Sequence, residues 1–447
     1  MNGKDLTHGS IQRNIINFSL PYLLSYFMQI LYGLADLFFI GRYCGVDSIT
    51  AVSIGSQVMH MLTVIIVGLA MGTTVVTAKA VGARDQKAVA KAIGNTITLF
   101  MAFAAVLAVG LLIATGAIVS AMSTPTEAIA NTRIYLTVCF IGVPFIVAYN
   151  IIASIFRGLG DSKSPMYFIA IACIVNIVLD WILIGMLNMD AMGAALATTI
   201  SQTISVTVSL LMIRRNKAGI RITRNDLIPR RDVMTNVLKI GVPVSLQDGF
   251  IQIAFLVITI IANERGLNDA AAVGIVEKVI GVLFIIPSAM LSTVSAISAQ
   301  NIGAGKIARA RATLHYATAI AVVFGLVSSF IMQLYAPETI SLFTDEPRVI
   351  VLGSQYLRSY VWDCVFAGIH FCYSGFFCAC GLSIISFIHN VLSMACVRIP
   401  MAYITSASYP DTLYPMGWAS PAGSLLSVII CVGVYWYITK RGKVSRS

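Results

Sequence analysis

Charge is what this chain has least of. Only 11% of its 447 residues are Asp, Glu, Lys or Arg while 58% are hydrophobic, and an ordinary soluble domain carries roughly 25% charge. That shortfall excludes a water-soluble globule. No G-x-x-x-x-G-K-[ST] sequence occurs, which excludes ATP hydrolysis by that loop. Gly158-Leu159-Gly160 has no strand before it and falls in a turn, so it is not a dinucleotide loop. The nine cysteines, Cys139, Cys173, Cys364 and Cys396 among them, fall mostly within apolar runs and form neither a disulfide framework nor a paired zinc motif. Cys378-Ala379-Cys380 reads as small-residue helix packing. No structural metal and no cofactor is expected, and no enzyme.

Long apolar runs fill the space that charge leaves. About 20 such residues make a helix that crosses roughly 30 Å of hydrocarbon. Twelve runs of that kind lie near 15–40, 51–77, 92–120, 134–156, 166–187, 192–213, 237–262, 271–299, 313–335, 350–375, 383–406 and 416–438. The first is too long, and too polar at Gln29 and Asp36, to be a removable signal peptide, and is expected to be retained. Ala51-Val52-Ser53-Ile54 returns as Ala272-Val273-Gly274-Ile275, and Gly82-Ala83 as Gly303-Ala304, both at an offset of 221 residues. A repeat of membrane bundles predicts an all-α membrane protein, with twelve transmembrane helices in two pseudo-symmetric six-helix lobes. The lobes are expected at 1–213 and 237–447, joined by an Arg-rich linker at 214–236 that carries Asp226, Pro229 and Asp232. Six spans per half bring both halves in from the same side, so the repeat is parallel and a cavity is expected between the halves.

The net charge of +11 has a topological reading. Alternate loops hold Lys79, Arg84, Lys87 and Lys91; Arg157 and Lys163; Arg214, Arg215, Lys217, Arg221, Arg224, Arg230, Arg231 and Lys239; and Lys306, Arg309 and Arg311. Lys4, Arg13, Lys440, Arg441, Lys443 and Arg446 fall on the same side, and the intervening loops hold only Arg42, Arg133, Arg265 and Arg348. Loops rich in Lys and Arg stay cytoplasmic, so both termini are expected in the cytoplasm of a bacterial inner membrane. The basic excess then contacts lipid headgroups and not nucleic acid.

An ionised side chain in hydrocarbon costs about 2.5 kcal/mol or more, so each acid within a span needs a reason. Five lie there: Asp36, Asp180, Asp248, Glu277 and Asp363, against the bases Lys278, Arg358 and Arg398. Gln29, Tyr32 and Asp36 share one face of the first span, and Asn176 and Asp180 one face of the fifth. At 1.5 Å per residue, Asp36 and Asp180, about 21 and about 14 residues into their spans, both reach the outer half. Thr198 and Thr199 in the sixth span and Tyr135 in the fourth reach the same level. Two carboxylates in one poorly solvated nest cannot both stay charged cheaply unless a cation sits between them. That is the physics of a coupling-ion site for H⁺ or Na⁺, although a hydrogen-bond network that only joins helices would use the same residue types.

The second half has no copy of this nest. Ser245, Asp248 and Gln252 share a face of the seventh span, and Tyr356, Tyr360, Asp363 and His370 a stripe of the tenth. Tyrosines around a carboxylate can hold an organic cation, which makes Asp248, Gln252, Tyr356, Tyr360, Asp363 and His370 candidates for a substrate cavity. Glu277-Lys278 is expected to neutralise itself, and Arg358 to neutralise Asp363 or Glu277.

These residues resemble those of the multidrug and toxic compound extrusion (MATE) transporters over nearly the whole chain, in the DinF-like, general prokaryotic branch more than the NorM-like one. The likeness is carried by Pro21, Asp36 and Gly41-Arg42; by Ala78-Lys79-Ala80-Val81-Gly82-Ala83; and by Arg157-Gly158-Leu159-Gly160-Asp161-Ser162-Lys163-Ser164-Pro165-Met166 leading to Asn176-Ile177-Val178-Leu179-Asp180. Gly193-Ala194-Ala195 and Arg398-Ile399-Pro400 complete it. The resemblance implies two six-helix lobes that rock between outward and inward states, a monomer, and export of amphipathic, often cationic small molecules coupled to H⁺ or Na⁺. It also implies a coupling-ion cluster whose positions match Gln29, Tyr32, Asp36, Tyr135, Asn176, Asp180 and Thr198. Three departures stand out: Trp181 where the family usually has Pro, Cys378-Ala379-Cys380-Gly381-Leu382-Ser383 without a basic residue, and Ile251 where the NorM-like branch has an acid. The last puts a carboxyl-lobe sodium site in doubt. A lipid-linked precursor flippase of the same superfamily would need a cationic cavity, against the excess of acids in these spans. A sensor or scaffold without flux is the remaining alternative.

Overall fold

The computed structural model describes residues 5–215 and 222–440. Lys4, Lys217, Arg221, Arg441, Lys443 and Arg446 lie outside that range. Twelve helices among the described residues are long and apolar enough to cross a membrane: α1 (Ile11–Tyr43), α2 (Val46–Gly82), α3 (Gln86–Ala121), α4 (Thr126–Gly158), α5 (Lys163–Met186), α6 (Asp190–Arg214), α7 (Arg231–Glu264), α8 (Leu267–Gly303), α9 (Ile307–Ser341), α10 (Pro347–Ala379), α11 (Ser383–Ser408) and α12 (Tyr414–Lys440). Each is longer than the apolar stretch read from the sequence, although α5 stops at Met186, one residue short of the expected end. A helix satisfies its own backbone, so it need not end where the hydrocarbon does.

Several of these helices are interrupted, α9 at Tyr335 and α12 at Trp418 among them. α5 ends in a wide π turn, Trp181–Met186, and α11 carries another at Met394–Arg398. α8 breaks at Phe284, between Leu267–Leu283 and Ile285–Gly303. α10 breaks between Tyr360 and Asp363.

The helices sort into two compact units. Leu20–Leu238 belongs to the first, and Leu6–Ser19 with the described chain from Lys239 to the second. This differs from a division at 213 and 236: the described linker residues pack with the first unit, and residues 6–19 with the second.

In the first unit α4 packs against α2, α3 and α6. Close approach is what makes this stable, because lipid is as apolar as Leu and association must come from dispersion and hydrogen bonds. A Cβ at Gly158 would sit 2.8 Å from Thr77 Cβ and 2.9 Å from the Thr74 carbonyl oxygen, and one at Gly55 would strike the Tyr135 ring. Thr74 Oγ1 donates to the Ser154 carbonyl across the same contact at 3.1 Å. In the second unit α10 takes the central place against α8, α9 and α12. There Gly375 lies so close to the Leu291 carbonyl that no side chain fits.

The Gly-Leu-Gly-Asp turn explains itself locally. Gly160 has φ +83°, a conformation open to glycine. Asp161 then starts α5: its Oδ1 accepts from the Lys163 and Ser164 amides at 3.0 and 3.1 Å, and Oδ2 from the Ser164 hydroxyl at 2.6 Å. These are the orphan amides that a helix start must satisfy.

Two short segments are clamped by side chains of helices far away in sequence. In the first unit, Asn95 of α3 donates to the Asp226 carbonyl at 3.1 Å and accepts from the Arg230 amide at 2.6 Å, while Thr98 donates to the Leu227 carbonyl at 2.7 Å. Asp226 in turn accepts from the Thr223 amide and hydroxyl, which hold its carboxyl below the usual range. In the second unit, Gln300 accepts from the Leu6 amide at 3.1 Å, Lys306 donates to the Thr7 carbonyl at 2.9 Å and Arg309 to the His8 carbonyl at 2.9 Å.

Replacing Asn95→Ala removes two linker hydrogen bonds worth about 1 kcal/mol each, so the segment should open at least tenfold more often. Trypsin cleavage after Arg224 and Arg230 of the purified chain follows that opening and should rise with it. Unchanged cleavage would show that Asn95 does not hold the linker.

Candidate functional site

Asp36 is 4% exposed, although neighbours on the same helix turn outward, such as Leu34 at 56% and Phe38 at 66%. Its carboxylate is met from two other helices. Asn176 Nδ2 of α5 donates to Oδ1 at 3.2 Å, and Thr198 Oγ1 of α6 to Oδ2 at 3.4 Å. One helical turn past Asn176, Asp180 brings its own carboxyl within hydrogen-bonding reach of Asp36. Apart from that facing carboxyl, neither oxygen of Asp180 meets a partner, and Asn176 Oδ1 has none. All three residues are buried.

Tyrosines close the nest. Tyr32, one turn before Asp36 on α1, reaches Thr198 with its hydroxyl and feels the charges of both acids. Tyr135 lies buried against Gly55 of α2 and interacts electrostatically with Asp36 and Tyr32. The structure thus brings Tyr32, Asp36, Tyr135, Asn176, Asp180 and Thr198 together. Gln29 is half-buried on the same face and makes no hydrogen bond among the described residues. Thr199 turns away, donating to the Val138 carbonyl and packing on Gly142. Cys139 is a member that the sequence reading missed. It lies one turn beyond Tyr135, interacts with Asp36 and hydrogen-bonds Tyr135, and the i, i+4 spacing was the available signal.

Asp180 sits where the α-helix gives way to the π turn. The Trp181 amide donates back to the Ile177 and Val178 carbonyls, a bond that proline at this position would lack. Such wide turns frequently occur at functional sites.

The second unit arranges its acids differently. Asp363 is completely buried, and Arg398 of α11 donates to its Oδ2 at 2.5 Å. The Arg398 guanidinium also lies 5.8 Å over the Phe255 ring. Arg358, the expected partner, pairs with neither acid. Glu277 and Lys278 do not neutralise each other either: Glu277 turns inward, accepting from Thr259 at 3.3 Å and feeling Arg398, while Lys278 is exposed. Adjacent residues on a helix point about 100° apart, which forbids the expected pair.

Tyr356 and Tyr360 lie edge to face, ring centroids 5.5 Å apart, at 1% and 0% exposure in the apolar core of this unit. His370 packs between Phe371 at 4.9 Å and His389 at 5.5 Å. Asp248 and Gln252 are half-buried on α7 and make no contact with Asp363. The six expected substrate residues are therefore not one surface: Asp363 has its guanidinium, the tyrosines are core, and His370 borders a cleft farther along α10.

The MatE family model matches residues 21–182 and 243–404, one match in each half. The probable multidrug resistance protein YoeA of Bacillus subtilis is 25% identical over 444 residues, covering 98% of this chain and 96% of that protein. The FAD transporter of Shewanella oneidensis is 24% identical over 443 residues, again covering 98% and 96%. Among solved structures, MATE in the bent conformation aligns end to end with both chains at a TM-score of 0.92 and 23% identity. An outward-facing MATE transporter of the MOP superfamily aligns at 0.92 and 23%, over 100% of this chain and 99% of that one.

A buried ion pair is most sensitive to losing one partner, which leaves an uncompensated charge and costs about 3–5 kcal/mol. Arg398→Met should therefore lower the unfolding temperature of the purified chain sharply, and adding Asp363→Leu should recover most of the loss. A double variant as unstable as the single one would show that the pair's charge balance is not what the unit depends on.

Proposed function

Because the chain belongs to the MatE family of membrane transporters, we propose that it exports amphipathic, often cationic small molecules in exchange for H⁺ or Na⁺. That it is a multi-pass transporter and not an enzyme follows from the family and from twelve apolar helices. Coupling, direction and the ion site are the proposal.

One observation carries it: two buried carboxyls face each other, and Asp180 offers two oxygens that no donor satisfies. No basic side chain is among the groups that act on either acid. If both were ionised, two like charges would stand in contact away from water, so one extra positive charge must be taken up. A proton can sit between Asp36 and Asp180. A sodium ion can be held by the same carboxylates with Asn176 Oδ1 and the Thr198 hydroxyl, all hard oxygen donors.

Uptake of that cation changes what holds α1. Asp36 is the point where this outward-facing helix is tied to α5 and α6, so loading the nest and shifting α1 are one event. A cation bound more tightly in the outward-open state drives the transition that releases substrate outside, and its loss inside resets the transporter. Export of cations against their gradient then follows from alternating access, without ATP. Both termini lie in the cytoplasm, in accord with the basic residues of alternate loops, and the transporter works as a monomer in contact with anionic lipid.

Asp36→Asn and Asp180→Asn should each abolish gradient-driven ethidium efflux while membrane insertion stays normal. Full efflux by the double variant would rule the scheme out. In proteoliposomes, a substrate-induced rise in internal proton release without Na⁺ dependence identifies H⁺ as the coupling ion, and strict Na⁺ dependence without a pH change identifies Na⁺.

A further inference from the structure

Away from the amino-terminal nest, the first unit buries a charge that no acid meets. Arg157, near the end of α4, is 9% exposed and makes no ion pair among the described residues. The nearest acid in sequence, Asp161, turns both of its oxygens to the start of α5. Arg157 has instead one neutral hydroxyl, Ser154 Oγ at 3.0 Å from Nη2, and the face of a ring. Its guanidinium carbon lies 5.0 Å over the centroid of Tyr22, a residue of α1 that is itself buried. The Arg157 Nε has no hydrogen-bond partner. Tyr149, buried and donating to the Pro165 carbonyl of α5 at 3.5 Å, stands close enough to interact with both Arg157 and Tyr22.

We propose that Arg157 is a positioning residue for α1: its cation–π contact with Tyr22 is a second tie on that helix, which breaks and re-forms as α1 moves in the transport cycle. Packing alone would not call for a charge here. A buried guanidinium without a carboxylate is unfavourable, and an apolar side chain would fill the space beside Tyr22 and Tyr149 without that penalty.

What distinguishes a charge is that α1 supplies its compensation. With Tyr22 in place, the negative face of the ring meets the cation. With Tyr22 withdrawn, the guanidinium keeps only a hydroxyl until water reaches it. The contact therefore has a free energy that depends on where α1 stands, which is what biases a helix between two positions. Placement supports the same reading. Tyr22 lies fourteen residues before Asp36, about 21 Å along the helix. Asp36 ties α1 to α5 and α6 at one level, and Tyr22 ties it to α4 at the other. Between the two, Leu24, Phe27, Leu31 and Leu34 are exposed. Freeing one tie leaves the helix held by the other, so both must give before α1 moves as one piece.

The role in the cycle rests on the proposed export, but the tie itself is measurable without transport. Hydrogen–deuterium exchange of the full chain in lipid nanodiscs, followed in peptides over residues 20–28, reports how often this part of α1 opens. Tyr22→Leu removes the ring face and should raise that exchange about tenfold, the scale of a desolvated cation–π contact. Tyr22→Phe keeps the face and should exchange as the unaltered chain does. Arg157→Met should match Tyr22→Leu, and the double variant should exchange no faster than either, because each single change removes the same contact. In proteoliposomes, Tyr22→Leu should slow ethidium efflux about tenfold with KM unchanged, since a cycle needs both positions of α1, and Tyr22→Phe should restore the rate. Unchanged exchange in Tyr22→Leu and Arg157→Met would overturn the proposal. So would exchange in Tyr22→Phe as fast as in Tyr22→Leu, or full-rate efflux by Tyr22→Leu. No efflux by the unaltered chain would count against the export reading instead, with exchange still deciding the tie.

Discussion

A carboxylate taken out of water needs a counter-charge, a proton or a metal ion, and the two units of this protein meet that requirement in different ways. The second unit supplies the counter-charge from its own sequence, Arg398 against Asp363. The first supplies only neutral donors, Asn176 and Thr198, and sets a second acid opposite the first. An isolated charge at the centre of a membrane helix costs about 2.5–3.5 kcal/mol on insertion scales. A fixed ion pair settles that cost once, whereas a pair of acids settles it only when something mobile arrives. Charge in the first unit is therefore conditional, and in the second it is constant.

Conditional charge is useful only on a rigid floor. Around the nest, Leu136, Cys139, Phe140 and Val143 of α4 are completely buried, and the Tyr135 ring fills the space left by Gly55. Asn176 and Asp180 share the face of α5 that ends in the π turn. Close packing leaves these side chains little freedom. The exposed side chains of α1 contribute much less to the interior, so Asp36 rides on a loosely packed helix of the first unit.

Periodicity and spacing alone read this architecture well because a membrane leaves the backbone few choices. Every amide must be satisfied internally, so an apolar run of the right length is a helix, and the twelve runs became twelve helices. Spacing of i, i+3 and i+4 was enough to put Tyr32 with Asp36 and Asn176 with Asp180. What it could not decide is which helices touch. Arg398 rather than Arg358 meets Asp363 because α11, 35 residues on, lies against α10, and no local pattern carries that pairing. Tyr356, Tyr360, Asp363 and His370 shared a stripe on an ideal helix, but α10 breaks between Tyr360 and Asp363. The break turns the tyrosines into core and leaves His370 at a cleft. Docking of residues 6–8 onto Gln300, Lys306 and Arg309 was equally hidden, since backbone carbonyls of a polar segment have no sequence signature.

Constant charge has its own consequence. Replacing a buried ion pair by apolar residues of similar volume is often neutral or stabilising, so stability alone is a weak reason to keep Asp363 and Arg398. What apolar residues cannot do is present a directed donor beside the phenylalanines that Arg398 adjoins. With one edge of the guanidinium fixed by Asp363, Nε has no protein acceptor to turn to. The ion pair acts as a mount for that donor: the acid cancels the charge and fixes the plane, while the hydrogen-bonding capacity remains. The two units thus treat buried charge differently, one setting two acids face to face among neutral donors and the other closing an acid against a guanidinium.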